Sequence, residues 1–417
     1  MEDSEKTGKK GDARLQWARS HMPVLRTLGK EIEKRGVLRG KRIAMALHTE
    51  AKTGILAQTL AGCGAEVRLA SCNPLSTDDS VSFALGRQEI EGVGSLKVRA
   101  RKGESREMYY QGLNWALDLK PHIVIDDGGD LVRLLHTERS EMLPGVLGGC
   151  EETTTGIIRL KALEREGKLK FPVMNVNDCD MKHLFDNRYG TGQSTMDGVL
   201  NATNLTIAGK DVVVCGYGWC GKGIAMRMKG MGACVTVSEI DPVKAVEASM
   251  DGMKVCSLKD HASKADMVIT STGCKDVVSR EILDELKDGC ILANSGHFDN
   301  EIDTEYLNGL PNYTAREHVT AHELNGNTIY LLSEGRLVNL ASGQGHPVEI
   351  MDMSFAIQAA GAEMIASEGA ELPRSVIDFP RELDEKIARL KLELDGRSLS
   401  TLTREQAEYL SSWQEGT

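Results

Sequence analysis

No stretch of this chain approaches the roughly 20 consecutive apolar residues that a membrane-spanning helix needs. None of its ten cysteines falls in a C-x-x-C pair, and its ten histidines include no H-E-x-x-H. The first absence argues against a membrane span. The others remove zinc-finger, dithiol and zincin signatures, so no metal site is expected. Cysteines such as Cys63, Cys234 and Cys290 stand singly in apolar or turn contexts. They read as reduced, small core residues of a cytoplasmic protein. Positive charge is also short: 50 Lys and Arg against 61 Asp and Glu give a net charge of −11. That argues against nucleic acid and anionic membrane surfaces as partners. Met1 to Arg14 is polar and charged without an apolar run, so a frayed tail is expected there, not a secretory signal.

What is present is enough for two to three domains: 417 residues, 41% of them hydrophobic. The chain is organised around Asp211-Val-Val-Val-Cys-Gly-Tyr-Gly-Trp-Cys-Gly-Lys-Gly223. Val212 to Val214 form a β-branched run suited to a buried parallel strand. Gly216, Gly218 and Gly221 then complete G-x-G-x-x-G. These glycines serve a tight turn, close approach of backbone to a pyrophosphate, and helix-on-strand packing. Ile224 to Lys229 reads as the following helix, whose first amides face the phosphates. A second strand, Cys234 to Ser238, ends in Glu239, where an acceptor for ribose hydroxyls is expected. A carboxylate there favours NAD over NADP, because it repels a 2′-phosphate.

Upstream, residues 15–35 carry apolar side chains at helical spacing. Strands at Arg42–Leu47, Val67–Ala70, Leu96–Val98 and His122–Asp127 alternate with helices at 55–60, 79–93 and 104–118. This alternation predicts a doubly wound parallel sheet. His48, Glu50, Lys52, Asp126 and Asp127 collect where strands end, which is where open α/β sheets bind ligands. Glu151-Glu-Thr-Thr-Thr-Gly156 reads as a polar binding loop, or as a capped helix start. Lys182 and Asp186 are four apart and share a helical face; Asn177 and Asn187 flank them. A lysine desolvated against a cofactor has a lowered pKa and serves as a base. His297 follows the strand Ile291–Ala293. Met351 to Ala366 is apolar nearly all round and predicts a buried helix. The last forty residues are charged and helical, and predict an arm that packs on another subunit.

Taken together, Asp126-Asp-Gly-Gly-Asp130, Glu151-Glu-Thr-Thr-Thr-Gly156, Asn175-Val-Asn-Asp178, Phe185-Asp-Asn187, the Gly216 fingerprint, Gly296-His-Phe-Asp299, Glu334-Gly-Arg-Leu-Val-Asn339 and Gly345-His-Pro347 closely resemble the S-adenosyl-L-homocysteine hydrolases. The resemblance spans nearly the whole chain. It implies two Rossmann-like domains joined by a hinge: 1–185 with 347–378 for substrate and 186–346 for NAD, followed by a helical arm, 379–417. It also implies a homotetramer with tightly held NAD. In the implied reaction the ribose 3′-hydroxyl is oxidised, homocysteine is eliminated, water adds and the ketone is reduced back. By resemblance Glu152 and Asp186 bind the ribose hydroxyls, and Lys182 is the base at the 3′-hydroxyl. His48 and Asp127 handle the C4′ proton and the leaving or entering group. Asn177 and Asn187 position Lys182 and the nicotinamide. Thr153, Thr154, Thr155, Glu239 and Asn339 contact NAD. His297 and His346 flank the substrate and its entrance gate.

Three positions depart from the common members. Thr191 stands where they have a cysteine near the nicotinamide, which bears on redox tuning. The C-terminal Lys and Tyr that reach a neighbour's NAD site are not found before Thr417, so cofactor retention is expected to be weaker or achieved otherwise. Glu50 and Lys52 replace a threonine and a glutamate that recognise adenine. Lysine only donates, so it cannot accept from a 6-amino group. A 6-oxopurine fits instead, with Lys52 donating to O6 and Glu50 accepting from N1–H. The expected substrate is therefore S-inosyl-L-homocysteine, as in an archaeal branch of the family. The alternatives are the adenosyl compound, with Glu50 and Lys52 paired to each other, a plain dehydrogenase that releases NADH, and a silent regulator that binds NAD and nucleoside.

Overall fold

The computed structural model describes residues 2–88 and 94–413. Its frame is two sheets. The first uses β1 (Arg42–Ala46), β2 (Glu66–Ala70), β3 (Ser95–Arg99), β4 (Ile123–Asp126), β5 (Gly148–Glu151), β6 (Val173–Asn175) and a late strand, Val376–Asp378. The second uses β7 (Asp211–Cys215), β8 (Cys234–Ser238), β9 (Lys254–Val255), β10 (Met267–Thr270), β11 (Ile291–Asn294), β12 (Asn312–Arg316), β13 (Val319–Leu324) and β14 (Asn327–Leu332). With the late strand numbered β15, the orders are β15-β6-β5-β4-β1-β2-β3 and β12-β13-β14-β11-β10-β7-β8-β9. The first sheet is parallel throughout. The second is parallel except for the pairings of β13 with β12 and β14. Central strands such as Ile43–Met45, Ile123–Ile125 and Val212–Val214 are fully buried, as continuous apolar runs in doubly covered sheets require.

The parallel part of each sheet reverses its order once. In the first the reversal lies between β1 and β4, in the second between β7 and β10. The crevices off these strand ends are the places where such sheets bind ligands.

The N-terminal stretch differs from the expected frayed tail. Glu2–Ser20 is a helix packed on Asp79–Arg87. A Cβ on Gly11 would stand 2.0 Å from the Ser80 carbonyl oxygen, so the two helices touch backbone to backbone. Asp12 holds Arg87 and Gln88, and Arg14 holds Asp78. The single helix expected over 15–35 is two, because Pro23 opens a new one, Pro23–Arg35. Proline lacks the N–H that an unbroken helix needs, but fits the first helical turn. The Asp352 carboxylate, far along the chain, caps this helix by accepting from the Val24 and Leu25 amides at 3.0 and 2.8 Å. The helix expected over 79–93 ends at Arg87, and residues 89–93 lie outside the described ones.

Val348–Glu368 is the buried helix foreseen. Of the expected arm, Arg381–Leu394 instead packs within its own chain. Ile387 is buried, and the Asp384 carboxylate accepts from the Met181 amide at 3.1 Å. The stretch 393–413, including the helix Arg404–Ser411, is exposed.

The helix after the glycine fingerprint, Trp219–Gly230, is pressed against the segment that carries the candidate base. A Cβ on Gly223 would stand 1.7 Å from the Arg188 carbonyl oxygen. Gly223→Ala is therefore expected to destabilise the fold by about 3 kcal/mol, measured as a lowered denaturant midpoint against wild type.

Candidate active site

The chain leaves β1 into His48 and β4 into Asp127, so the reversal point of the first sheet places these two together. His48 Nε2 is 3.4 Å from Asp127 Oδ2, and His48 Nδ1 is 2.6 Å from the Ser76 hydroxyl. Burial lowers the His48 pKa; the Asp127 charge opposes this, while His297 and His346 add to it. The imidazole is neutral near pH 7 and able to accept a proton. His297 arrives from the other sheet, off the end of β11, with Nδ1 3.7 Å from Asp127 Oδ1. A Cβ on Gly128 would be 2.8 Å from its Nε2, so glycine is what admits this ring. Cys72 Sγ lies 3.6 Å from Asp127 Oδ2.

β5 ends in Glu151, and Glu152 follows. The Glu151 Oε1 accepts from Gly128 N at 2.8 Å, Thr153 N at 3.0 Å and Thr153 Oγ1 at 2.9 Å. One buried carboxylate thereby fixes both loops of the site. Thr153 caps the helix Thr154–Arg165 through Gly156 N, so the capped helix start and the polar loop are the same feature. Glu152 faces Lys182.

Lys182 ends a short α-turn and is followed by a π-helical segment, His183–Gly190. A π-turn aligns residues five apart. Lys182 Nζ accordingly donates to Asn187 Oδ1 at 2.8 Å, besides Asn177 Oδ1 at 3.3 Å. Asp186 Oδ2 and Glu152 Oε1 stand 3.4 and 3.5 Å away. Burial pulls the Lys182 pKa down, but these carboxylates outweigh it and the net shift is upward. The expectation of a lowered pKa is reversed, because desolvation is opposed by the Asp186 and Glu152 carboxyl groups. Burial also disfavours charge on Asp186, yet Lys182 and His346 hold its carboxyl well below the usual range. For Glu152 burial outweighs the Lys182 charge, Asp186 adds to it, and the pKa is pushed up to about 8.

The helix Val348–Glu368 supplies two partners that sequence reasoning missed. Ser354 Oγ donates to Asp186 Oδ2 at 3.0 Å, and Gln358 Nε2 donates to Glu152 Oε2 at 2.5 Å. Four residues apart, they share one helical face. Polar side chains on an otherwise apolar, buried helix were the available signal. Glu301 was missed as well; it accepts from Thr272 N, Thr272 Oγ1 and Gly273 N, and so shapes the loop after β10.

His346 Nδ1 contacts Asp186, and its Nε2 lies 3.3 Å from both Thr191 Oγ1 and Asn339 Nδ2. Glu50 and Lys52 form an ion pair of 2.7 Å. Glu50 is also the N-cap of the helix Ala51–Gly62. Its Oε1 accepts from Thr53 N at 3.1 Å and Thr53 Oγ1 at 3.4 Å, its Oε2 from Lys52 N at 3.1 Å. Both oxygens are filled, so the expected acceptance from a purine N1–H has no free lone pair here.

The second sheet fits a dinucleotide. Gly216 has φ +93, and a Cβ on Gly221 would be 2.0 Å from the Gly216 oxygen; beside Gly218 there is open space. Glu239 ends β8, accepting from Tyr217 N at 2.6 Å and Ile240 N at 2.7 Å. Asn339 Oδ1 is buried without a hydrogen bond, and so are Asp127 Oδ1, Glu152 Oε1 and Gln358 Oε1 in the cleft between the sheets.

Family models named "S-adenosyl-L-homocysteine hydrolase" and "S-adenosyl-L-homocysteine hydrolase, NAD binding domain" match residues 3–143 and 187–345. A Methanocaldococcus jannaschii protein named S-inosyl-L-homocysteine hydrolase is 54% identical over 411 residues, 98% of each chain. The chain belongs to the S-adenosyl-L-homocysteine hydrolase family. Adenosylhomocysteinase from Thermoplasma volcanium is also 54% identical, over 98% of this chain and 99% of that one. Among solved structures, a dipicolinate synthase from Bacillus halodurans aligns with a TM-score of 0.51 at 14% identity, covering 79% of this chain and all of that one. That likeness is one of fold. As a hydrolase of this family the protein uses NAD, and no helix among the described residues is long and apolar enough to cross a membrane.

Proposed function

We propose that this hydrolase cleaves the thioether of S-inosyl-L-homocysteine, giving inosine and L-homocysteine. The observation that carries the base assignment is the buried Lys52 ammonium. It has three N–H donors. Glu50 Oε2 and the Gln344 carbonyl, at 2.7 and 2.9 Å, take two. The third suits a purine O6 and mismatches a 6-amino group, and such a mismatch is costly in a buried site. A second reading, the adenosyl substrate, draws support from Glu50: with its oxygens filled, the N1–H of a 6-oxopurine finds no acceptor there. Relatives with either name are equally similar, so the residues must decide.

In this reading Glu152 and Asp186 accept from the ribose hydroxyls, and Lys182 takes the 3′-hydroxyl proton. The glycine loop, Glu239, Asn339 and Thr153 to Thr155 would hold NAD, which would supply the acceptance of a hydride from C3′ and its return at the end. The ketone acidifies the C4′ proton, which the neutral His48, backed by Asp127, removes. Homocysteine then leaves from C5′ with its sulfur electron pair and is protonated. Water adds to C5′ of the enone, C4′ regains its proton, and reduction returns the hydroxyl. Asn177 and Asn187 aim Lys182; His297 and His346 close over the substrate.

We place substrate binding in 1–185 with 347–378, NAD binding in 186–346, and an arm in 379–417, in keeping with the two sheets. Exposed Tyr409, Leu410 and Trp413 fit a homo-oligomer, a tetramer by the family resemblance. All ten cysteines are free, which fits a reducing compartment such as the cytoplasm.

The test is stoichiometry: the NAD-loaded protein is expected to release one thiol per substrate with no net NADH. Net NADH would mean a plain dehydrogenase, and no turnover a silent binder. One pH effect follows. Glu152 accepts from hydroxyls more strongly when ionised, so nucleoside affinity is expected to rise as pH increases through about 8. In Glu152→Gln titrations that rise should vanish.

A further inference from the structure

We propose that Lys52 is also a positioning residue for the loop Gly343–Pro347, a latch that ties the base pocket to the contacts around Asp186. This deepens the function proposed above and rests on it for the identity of the ligand.

Lys52 sits at the start of the helix Ala51–Gly62, off β1 of the first sheet. Its Nζ crosses to the Gln344 carbonyl at 2.9 Å, 292 residues away in sequence. The Gln344 side chain is exposed, so the inward group of this residue is its backbone oxygen. The next residue, Gly345, has φ +71, a conformation that favours glycine. A Cβ there would lie 2.9 Å from Leu340 Cδ2 and 3.5 Å from Lys52 Nζ, so the loop passes directly over the ammonium. Gly345 N donates to Asn339 O at 2.9 Å. His346 then reaches Asp186, Thr191 and Asn339.

Three neighbours in sequence thus join three parts of the site. Gln344 is held by the base-pocket lysine, Gly345 by the NAD-domain residue Asn339, and His346 by a candidate ribose carboxylate. The Lys52 hydrogen bond is charge-assisted and largely shielded from water, the class whose loss costs most. A lysine that only read the base would need no tie to this loop. With the tie, removing the ammonium frees the loop and lets any nucleoside escape faster, whatever its base.

The experiment compares wild type, Lys52→Met and Lys52→Arg, all loaded with NAD. Amide exchange over 339–347 is read by mass spectrometry, and inosine and adenosine dissociation by stopped flow. Lys52→Met is expected to raise loop exchange roughly tenfold or more, with exchange in the helix Val348–Glu368 unchanged. Both nucleosides should leave faster. Lys52→Arg keeps a charged donor and should recover loop protection. Unchanged loop exchange in Lys52→Met would overturn the latch. So would faster release of inosine alone, which marks a pure base reader. The exchange measurement needs no turnover, so it reads the latch even if neither thioether is a substrate.

Discussion

Lys182→Met is expected to lower kcat/KM for thiol release by about 10³-fold, within the range typical of a positioned proton-transfer group. The geometry explains why one side chain carries so much. Its Nζ lies within 3.5 Å of Glu152, Asp186, Asn177 and Asn187. No other cation among the described residues contacts both carboxylates. Methionine matches the stem but leaves two buried acids without a counter-charge. Without the Lys182 charge, Glu152, whose pKa burial already pushes up to about 8, should stay protonated to still higher pH. Nucleoside binding should therefore weaken less than the chemical step. Asp186 and Glu152 raise the Lys182 pKa against the effect of burial. As the group proposed to take the 3′-hydroxyl proton, Lys182 should give the first oxidation a pH profile that Lys182→Met lacks. Single-turnover oxidation of bound nucleoside separates this step from release. A loss smaller than tenfold there would assign the proton to another group.

The second large effect concerns the base. Glu50→Thr with Lys52→Glu is expected to shift the ratio of kcat/KM values, adenosyl over inosyl, upward by about 10²-fold. Threonine also caps helices well, so the start of Ala51–Gly62 should hold. The glutamate brings an acceptor to the place of a donor and removes the one N–H that suits O6. Competition between the two thioethers in one reaction gives the ratio directly. An unchanged ratio would leave Lys52 as the Glu50 partner and loop latch, without a part in reading the base.

Much of this was legible in the sequence. Val212–Val214, Gly216 and Gly221 announced a buried strand and a tight turn, and Glu239 follows the second strand as expected. Strand ends named His48 and Asp127, which the sheet reversal then brings together. What was hidden depended on geometry that spacing does not encode. Lys182 and Asp186 read as an α-helical pair, whereas the π-turn added Asn187 at hydrogen-bond distance. The upward Lys182 shift draws on Asp186 and also on Glu152, thirty positions away, whose approach no local pattern reveals. Ser354 and Gln358 lay in a helix read for its apolar faces. The packed helix Glu2–Ser20 was missed because its polar composition gave way to tertiary contacts with Asp78 and Arg87. The strands β12 to β14 went unread, since the exposed β12 carries no apolar alternation.

The central claim is an NAD-using hydrolase that prefers a 6-oxopurine thioether. Its most direct test is kcat/KM of the NAD-loaded wild type on S-inosyl- and S-adenosyl-L-homocysteine, followed by free thiol. The structure predicts a preference of about 10²-fold for the inosyl compound, set by the single free donor of Lys52. Equal rates, or a preference for the adenosyl compound, would contradict it.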